Sequence, residues 1–198
     1  MSTHERERNG VGTRLRTIGG ALVLWAATAL PAAAEISLLA PRDALLDAAF
    51  SQNVEGVRSQ LLSGVSPNRV DTEGRTALMY ASAAGNLEIV RILVDSGAWV
   101  DLRDRFGDTA LMLAADRGQI EVAQFLVSKG AKVDNDNRRG MTPLMQAAAS
   151  GRVEMVRLLL KAGGDPKRQD YSGFSALDWA ERSNQRRTAE VIRRAVGG

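Results

Sequence analysis

One spacing constrains this chain more than any other feature. Gly74, Gly107, Gly140 and Gly173 stand 33 residues apart. In the same register run Thr76, Thr109, Thr142 and Ser175, then Leu78, Leu111, Leu144 and Leu177, then Ala81, Ala114, Ala147 and Ala180. Gly85, Gly118, Gly151 and Asn184 follow, with Leu93, Leu126, Leu159 and Ile192, and Gly97, Gly130 and Gly163 close the period. A unit of this length is too small to bury its own apolar face, so copies must stack and form their core jointly. The chain is therefore expected to be a solenoid.

Each column has a physical reason. Gly74 and its equivalents suit a tight turn that needs positive φ. The Thr or Ser two residues later can cap a first helix, and Pro143 follows one of them where its missing N–H costs nothing. The Leu and the Ala three residues beyond it share one face of that helix. Gly85 and its equivalents end it in a left-handed conformation, and where the Gly is lost the replacement is Asn184, the next most tolerant residue. A second helix is predicted over Leu87–Ser96 in the first full unit, with Val90, Leu93 and Val94 on its buried face and Gly97 ending it.

The residues that follow the turn resemble the ankyrin repeat and its T-P-L-H-x-A motif. They read Thr76-Ala-Leu-Met-Tyr-Ala81, Thr109-Ala-Leu-Met-Leu-Ala114, Thr142-Pro-Leu-Met-Gln-Ala147 and Ser175-Ala-Leu-Asp-Trp-Ala180. Repeat ends similar to the family's G-A-D-x-N appear as Gly97-Ala-Trp-Val-Asp101, Gly130-Ala-Lys-Val-Asp134 and Gly163-Gly-Asp-Pro-Lys167. The motif's Pro survives once in four, and its His is replaced by Met79, Met112, Met145 and Asp178. Apolar sulfur contacts are expected to stand in for the hydrogen bonds such a histidine makes between repeats. The resemblance implies an all-α solenoid of helix-turn-helix units with β-turn or hairpin tips. It spans 41–196, with a degenerate N-terminal cap repeat at 41–70, repeats at 71–103, 104–136 and 137–169, and a C-terminal cap repeat at 170–196. Leu45, Ala48, Val57 and Gly64 place the first of these, each 33 residues before its counterpart.

The residues ahead of the solenoid read as an address. Arg6, Arg8, Arg14 and Arg16 precede an uncharged run, Ile18–Leu30, of 13 residues, against about 20 for a spanning helix. Pro31 and Ala32-Ala33-Ala34 follow. A basic region, an apolar region and an A-x-A site are the three parts of a secretory signal peptide. Residues 1–34 are thus expected to be removed between Ala34 and Glu35, leaving a short linker at 35–40 and a periplasmic or secreted bacterial protein.

Composition narrows the function. The chain has no Cys and a single His, His4, which lies in that leader, so the usual general base and the usual transition-metal ligands are missing. No phosphate-binding glycine loop, G-x-S-x-G or H-E-x-x-H occurs. The carboxylates read as scattered surface and capping groups, and the Met79, Met112 and Met145 ladder as packing. No catalytic residue, metal or cofactor is expected. From residue 35 to 137 the chain carries 10 basic and 15 acidic side chains, and from 138 to 198 it carries 12 and 6. That polarity would steer a charged partner during encounter.

The resemblance implies a monomeric scaffold that binds a protein through its concave face, with no nucleic acid and with membrane contact only during export or weakly at the surface. Read in register, the first tip column holds Thr72, Arg105, Arg138 and Tyr171, and the next Glu73, Phe106, Arg139 and Ser172. The column after the Gly holds Arg75, Asp108, Met141 and Phe174, and an exposed helix column reads Ala83, Asp116, Ala149 and Arg182. With Trp99, their Arg, aromatic and Asp members and Met141 form the candidate interface, since Arg and aromatic residues dominate hot spots. Phe106, Phe174 and Trp99 could equally pack on a neighbouring hairpin. Arg186, Arg187, Arg193 and Arg194 suggest an alternative, an electrostatic tether to anionic envelope lipid or polysaccharide. A stress-protective or effector role is a third.

Overall fold

The computed structural model describes residues 43–197, and the expected leader and linker lie outside them. Among the described residues ten helices pair in sequence: α1 Ala44–Phe50 with α2 Val54–Leu62, α3 Ala77–Ala84 with α4 Leu87–Asp95, and α5 Ala110–Arg117 with α6 Ile120–Ser128. Then come α7 Pro143–Ala149 with α8 Val153–Lys161, and α9 Ala176–Arg182 with α10 Arg186–Gly197. The caps are those the columns predict. The side chains of Thr76, Thr109, Thr142 and Ser175 each accept the backbone N–H three residues on, a contact that contributes about 1 kcal/mol per helix. Gly85, Gly118 and Asn184 turn left-handed at φ of 81°, 75° and 56°.

The departures from T-P-L-H-x-A are more polar than expected. The sulfur of Met79 accepts the Thr76 backbone N–H at 3.5 Å, and Met145 does the same for Thr142. Asp178 accepts from the Ser175 N–H at 2.7 Å. These residues close the first turn of their own helix, as a capping-box side chain does.

The first helix of every pair packs on its neighbours more closely than the second does. Side-chain size explains this. Ala81, Ala114, Ala147 and Ala180 are fully buried on the first-helix seam, whereas Ile89, Leu93, Val122, Leu126, Met155 and Leu159 hold the second helices apart. Unequal spacing curves the stack, with the first helices and the turn tips on its inner side. Leu78, Leu111 and Leu144 are buried, whereas Leu177 is only half-buried, with no later repeat among the described residues to cover it. Val94 is likewise half-buried, and Ile89 occupies the core in its place.

Side chains also clasp one repeat to the next. Asn68 Oδ1 accepts the Trp99 N–H at 2.8 Å, Asp101 Oδ1 the Lys132 N–H at 3.2 Å, and Asp134 Oδ1 the Asp165 N–H at 3.1 Å. The fourth member of that column is Lys167, in the repeat before the last, and its ammonium has no acceptor oxygen with which to make the same clasp. The expected hairpin tips are turns closed by isolated bridges, Val70 with Thr76 and Gln169 with Ser175, without strands among the described residues.

Candidate protein-binding surface

An Asp or Asn fixes each tip. Asp104 Oδ1 accepts the N–H groups of Phe106 at 2.8 Å and Asp108 at 2.9 Å. Asp71, Asn137 and Asp170 do the same for Glu73 and Arg75, for Arg139 and Met141, and for Ser172 and Phe174. An oxygen accepting from the second and fourth residues beyond it locks a turn that would otherwise be mobile. This is a further column of the 33-residue register, and reading the carboxylates as scattered missed it. The signal was present, since the four positions also stand 33 residues apart.

The outer oxygens or amide of that column reach across the stack. Arg75 Nε donates to Asp104 Oδ2 at 3.3 Å and Asn137 Nδ2 to Asp108 Oδ1 at 2.8 Å. In the first and last full hairpins an aromatic closes the contact instead. The Tyr80 hydroxyl donates to Asp71 Oδ2, and Trp179 Nε1 donates to Asp170 Oδ2 at 3.0 Å. Burial is the largest influence on Tyr80 and, with the Asp71 hydrogen bond, pushes its hydroxyl up to about 12. Burial also pulls Asp71 upward, but the hydrogen bonds from Tyr80, Arg75 and Glu73 outweigh it and leave the carboxyl below its ordinary value.

Neighbouring tips are joined by main chain. The Arg105 N–H donates to Glu73 O at 2.8 Å, Arg138 to Phe106 O at 2.9 Å and Tyr171 to Arg139 O at 3.1 Å. Glycine permits this approach: a Cβ on Gly140 would lie 2.6 Å from the Tyr171 nitrogen, and one on Gly107 would lie 2.8 Å from that of Arg138. Four separate turns thus become one edge, and side chains carried on it need little further ordering when a partner arrives.

Of the predicted interface residues, Arg105, Phe106, Arg138, Arg139 and Tyr171 are exposed on this edge. Phe106 is 56% exposed and Tyr171 74%, and the Tyr171 hydroxyl donates to Asp136 at 3.0 Å. Arg182 is exposed on the last inner helix. Trp99 is 66% exposed, but it belongs to the turn after α4, in the separate row of clasps described above.

Five candidates need correction. Met141 is buried, with 5% exposure. Its column is the returning arm of the hairpin, which runs under the tip toward the helix cap rather than out to solvent. Asp108 and Arg75, in the same column, are half-buried and spent on the inter-repeat bonds just given. Phe174 is half-buried and meets Trp179 edge to face with centroids 5.9 Å apart, so packing prevails there. The expected exposed helix column is also half-buried at Ala83, Asp116 and Ala149, and Asp116 accepts from Ser150 Oγ at 2.6 Å.

Among the described residues no group of three His, Cys, Asp or Glu side chains could hold a metal ion. Stacked helix pairs with joined tips define a repeat scaffold, and comparison with known families agrees. The family model described as ankyrin repeats in three copies matches residues 45–137 and 132–195. The chain belongs to the ankyrin-repeat family, whose repeats are generic protein–protein interaction modules. No curated protein matches it at a meaningful level.

Proposed function

We propose that this protein binds one protein partner along the joined tips, chiefly through Arg105, Phe106, Arg138, Arg139 and Tyr171, and that it performs no chemistry. The observation that carries this reading is Phe106. It stays more than half exposed on an edge that hydrogen bonds hold still, and a large apolar ring left in water marks a contact site when arginines flank it. A partner of ordinary interface size would bury roughly 1,600 Å² in total. Capture from an extract of the source cells tests the placement. A Phe106→Ala/Arg139→Ala double variant should lose the partner held by the unchanged chain, and equal recovery would refute the site.

The amino-terminal residue pattern supports export by a signal peptide and residence in a bacterial periplasm or outside the cell. Mass spectrometry of the protein from those cells should find a chain beginning at Glu35, and an intact Met1 would overturn this. Electrostatic tethering through α10 is the weaker reading. Arg193 is paired with Glu181, Arg194 is paired with Glu190, and the apolar side chains Ala189 and Ile192 face inward.

A further inference from the structure

The last hairpin carries an arrangement that the general reading does not require. The Arg139 guanidinium lies 5.5 Å from the Trp179 ring centroid, Trp179 meets Phe174 edge to face, and the Arg182 guanidinium lies 4.4 Å from the Phe174 centroid. Four side chains from two repeats thus run in the order Arg139, Trp179, Phe174, Arg182. The centre of the row is fixed, because Trp179 donates to Asp170 and Asp170 also holds the Phe174 backbone N–H. A guanidinium resting by its face on a ring keeps its N–H edge available, and that edge matches a carboxylate in two parallel bonds.

These edges are unused. Among the described residues Arg139 and Arg182 make no ion pair and no side-chain hydrogen bond, and Arg138 beside them makes none either. Many of the other arginines meet carboxylates, Arg58 at Glu88, Arg75 at Asp104, Arg103 and Arg168 at Asp136, and Arg193 at Glu181; Arg91, Arg186 and Arg187 do not, but none of them stands at the tips. Cationic forks lying against fixed rings yet left without an anion mark a surface complementary to negative charge. The charge is local, not global. Beyond residue 34 the chain has 22 of its 26 basic and 21 of its 23 acidic side chains, so it lacks the broad positive field that a nucleic-acid backbone draws on.

We infer that the occupant of this end of the groove is an acidic, extended protein segment whose carboxylates are gripped by Arg139 and Arg182, with Arg138 adding to the field. The inference rests on the protein-binding reading and names the chemistry of the partner.

The test is selection of phage-displayed random peptides of about 12 residues, long enough to cross more than one repeat when extended, on the full chain. Enriched peptides should be rich in Asp and Glu. In titration the best of them should bind about tenfold more weakly to Arg139→Gln/Arg182→Gln, the loss of two exposed charge-assisted contacts. Arg157→Gln, on α8, should bind as the unchanged chain does. Arg139→Lys/Arg182→Lys keeps the charge without the planar fork and should fall between. Peptides with no acidic bias, no enrichment at all, or equal affinity for the glutamine variant would each overturn the inference. Enriched peptides of neutral character would leave the broader protein-binding reading intact. That reading fails alone if acidic peptides bind as described but the Phe106→Ala/Arg139→Ala variant still recovers its cellular partner in full.

Discussion

At the scale of single residues, side chains two positions apart do opposite work within one tip. Asp104 is buried and accepts two backbone N–H groups and the Arg75 guanidinium, whereas Phe106, two residues on, touches mainly solvent. Asp104→Ala should therefore destabilise the chain by about 1–3 kcal/mol, the cost of stranding buried donors. Asp104→Asn keeps an oxygen for the two backbone N–H groups, as Asn137 does in the next repeat, and loses only the Arg75 contact, so it should cost less. Urea unfolding of the three proteins decides, and equal midpoints would contradict the role given to this column. Tyr80 offers a check by pH. Its phenol is protonated more tightly folded than unfolded, so its contribution is complete below about pH 10 and is lost as the pH climbs toward about 12. Melting temperatures of the unchanged chain should fall more steeply across that window than those of Tyr80→Phe. Parallel slopes would remove the Asp71 contact from the account.

At the scale of elements, helices and caps were largely legible in the sequence, because a helix start needs an oxygen at a fixed offset and a left-handed stop tolerates few residues. Thr142-Pro143 and Asn184 could be read directly for that reason. The tip was legible only in part. A glycine with positive φ announces a turn, but which flanking side chain points outward depends on how the returning arm meets the next repeat, and Met141 was misplaced on that account. Glycine itself has two roles that sequence cannot separate, and the structure does. Gly140 and Gly173 share φ of 79° and 80°, yet an added Cβ meets the next hairpin only at Gly140. Both alanine variants carry the left-handed penalty of about 1–2 kcal/mol. Gly140→Ala should cost at least about 1 kcal/mol more, from overpacking against Tyr171. Identical losses in thermal unfolding would mean that the tips are not in fact joined.

At the scale of the whole molecule, alanines on the inner seam and larger residues on the outer one set the curvature, and the curvature brings the tips to one edge. The acidic first part and basic last part make the stack dipolar. Association with an acidic partner should slow as salt rises through the range where the screening length falls below about 10 Å, measurable by stopped flow. The central claim is that the tips bind while the seam holds the fold. Its most direct test pairs two variants, Phe106→Ala/Arg139→Ala and Leu144→Ala, each measured for partner affinity and for unfolding free energy. The account predicts that the tip variant loses about 2 kcal/mol or more of binding with little change in stability, while Leu144→Ala loses about 2–5 kcal/mol of stability as a core cavity. A tip variant that binds its partner as tightly as the unchanged chain would contradict it.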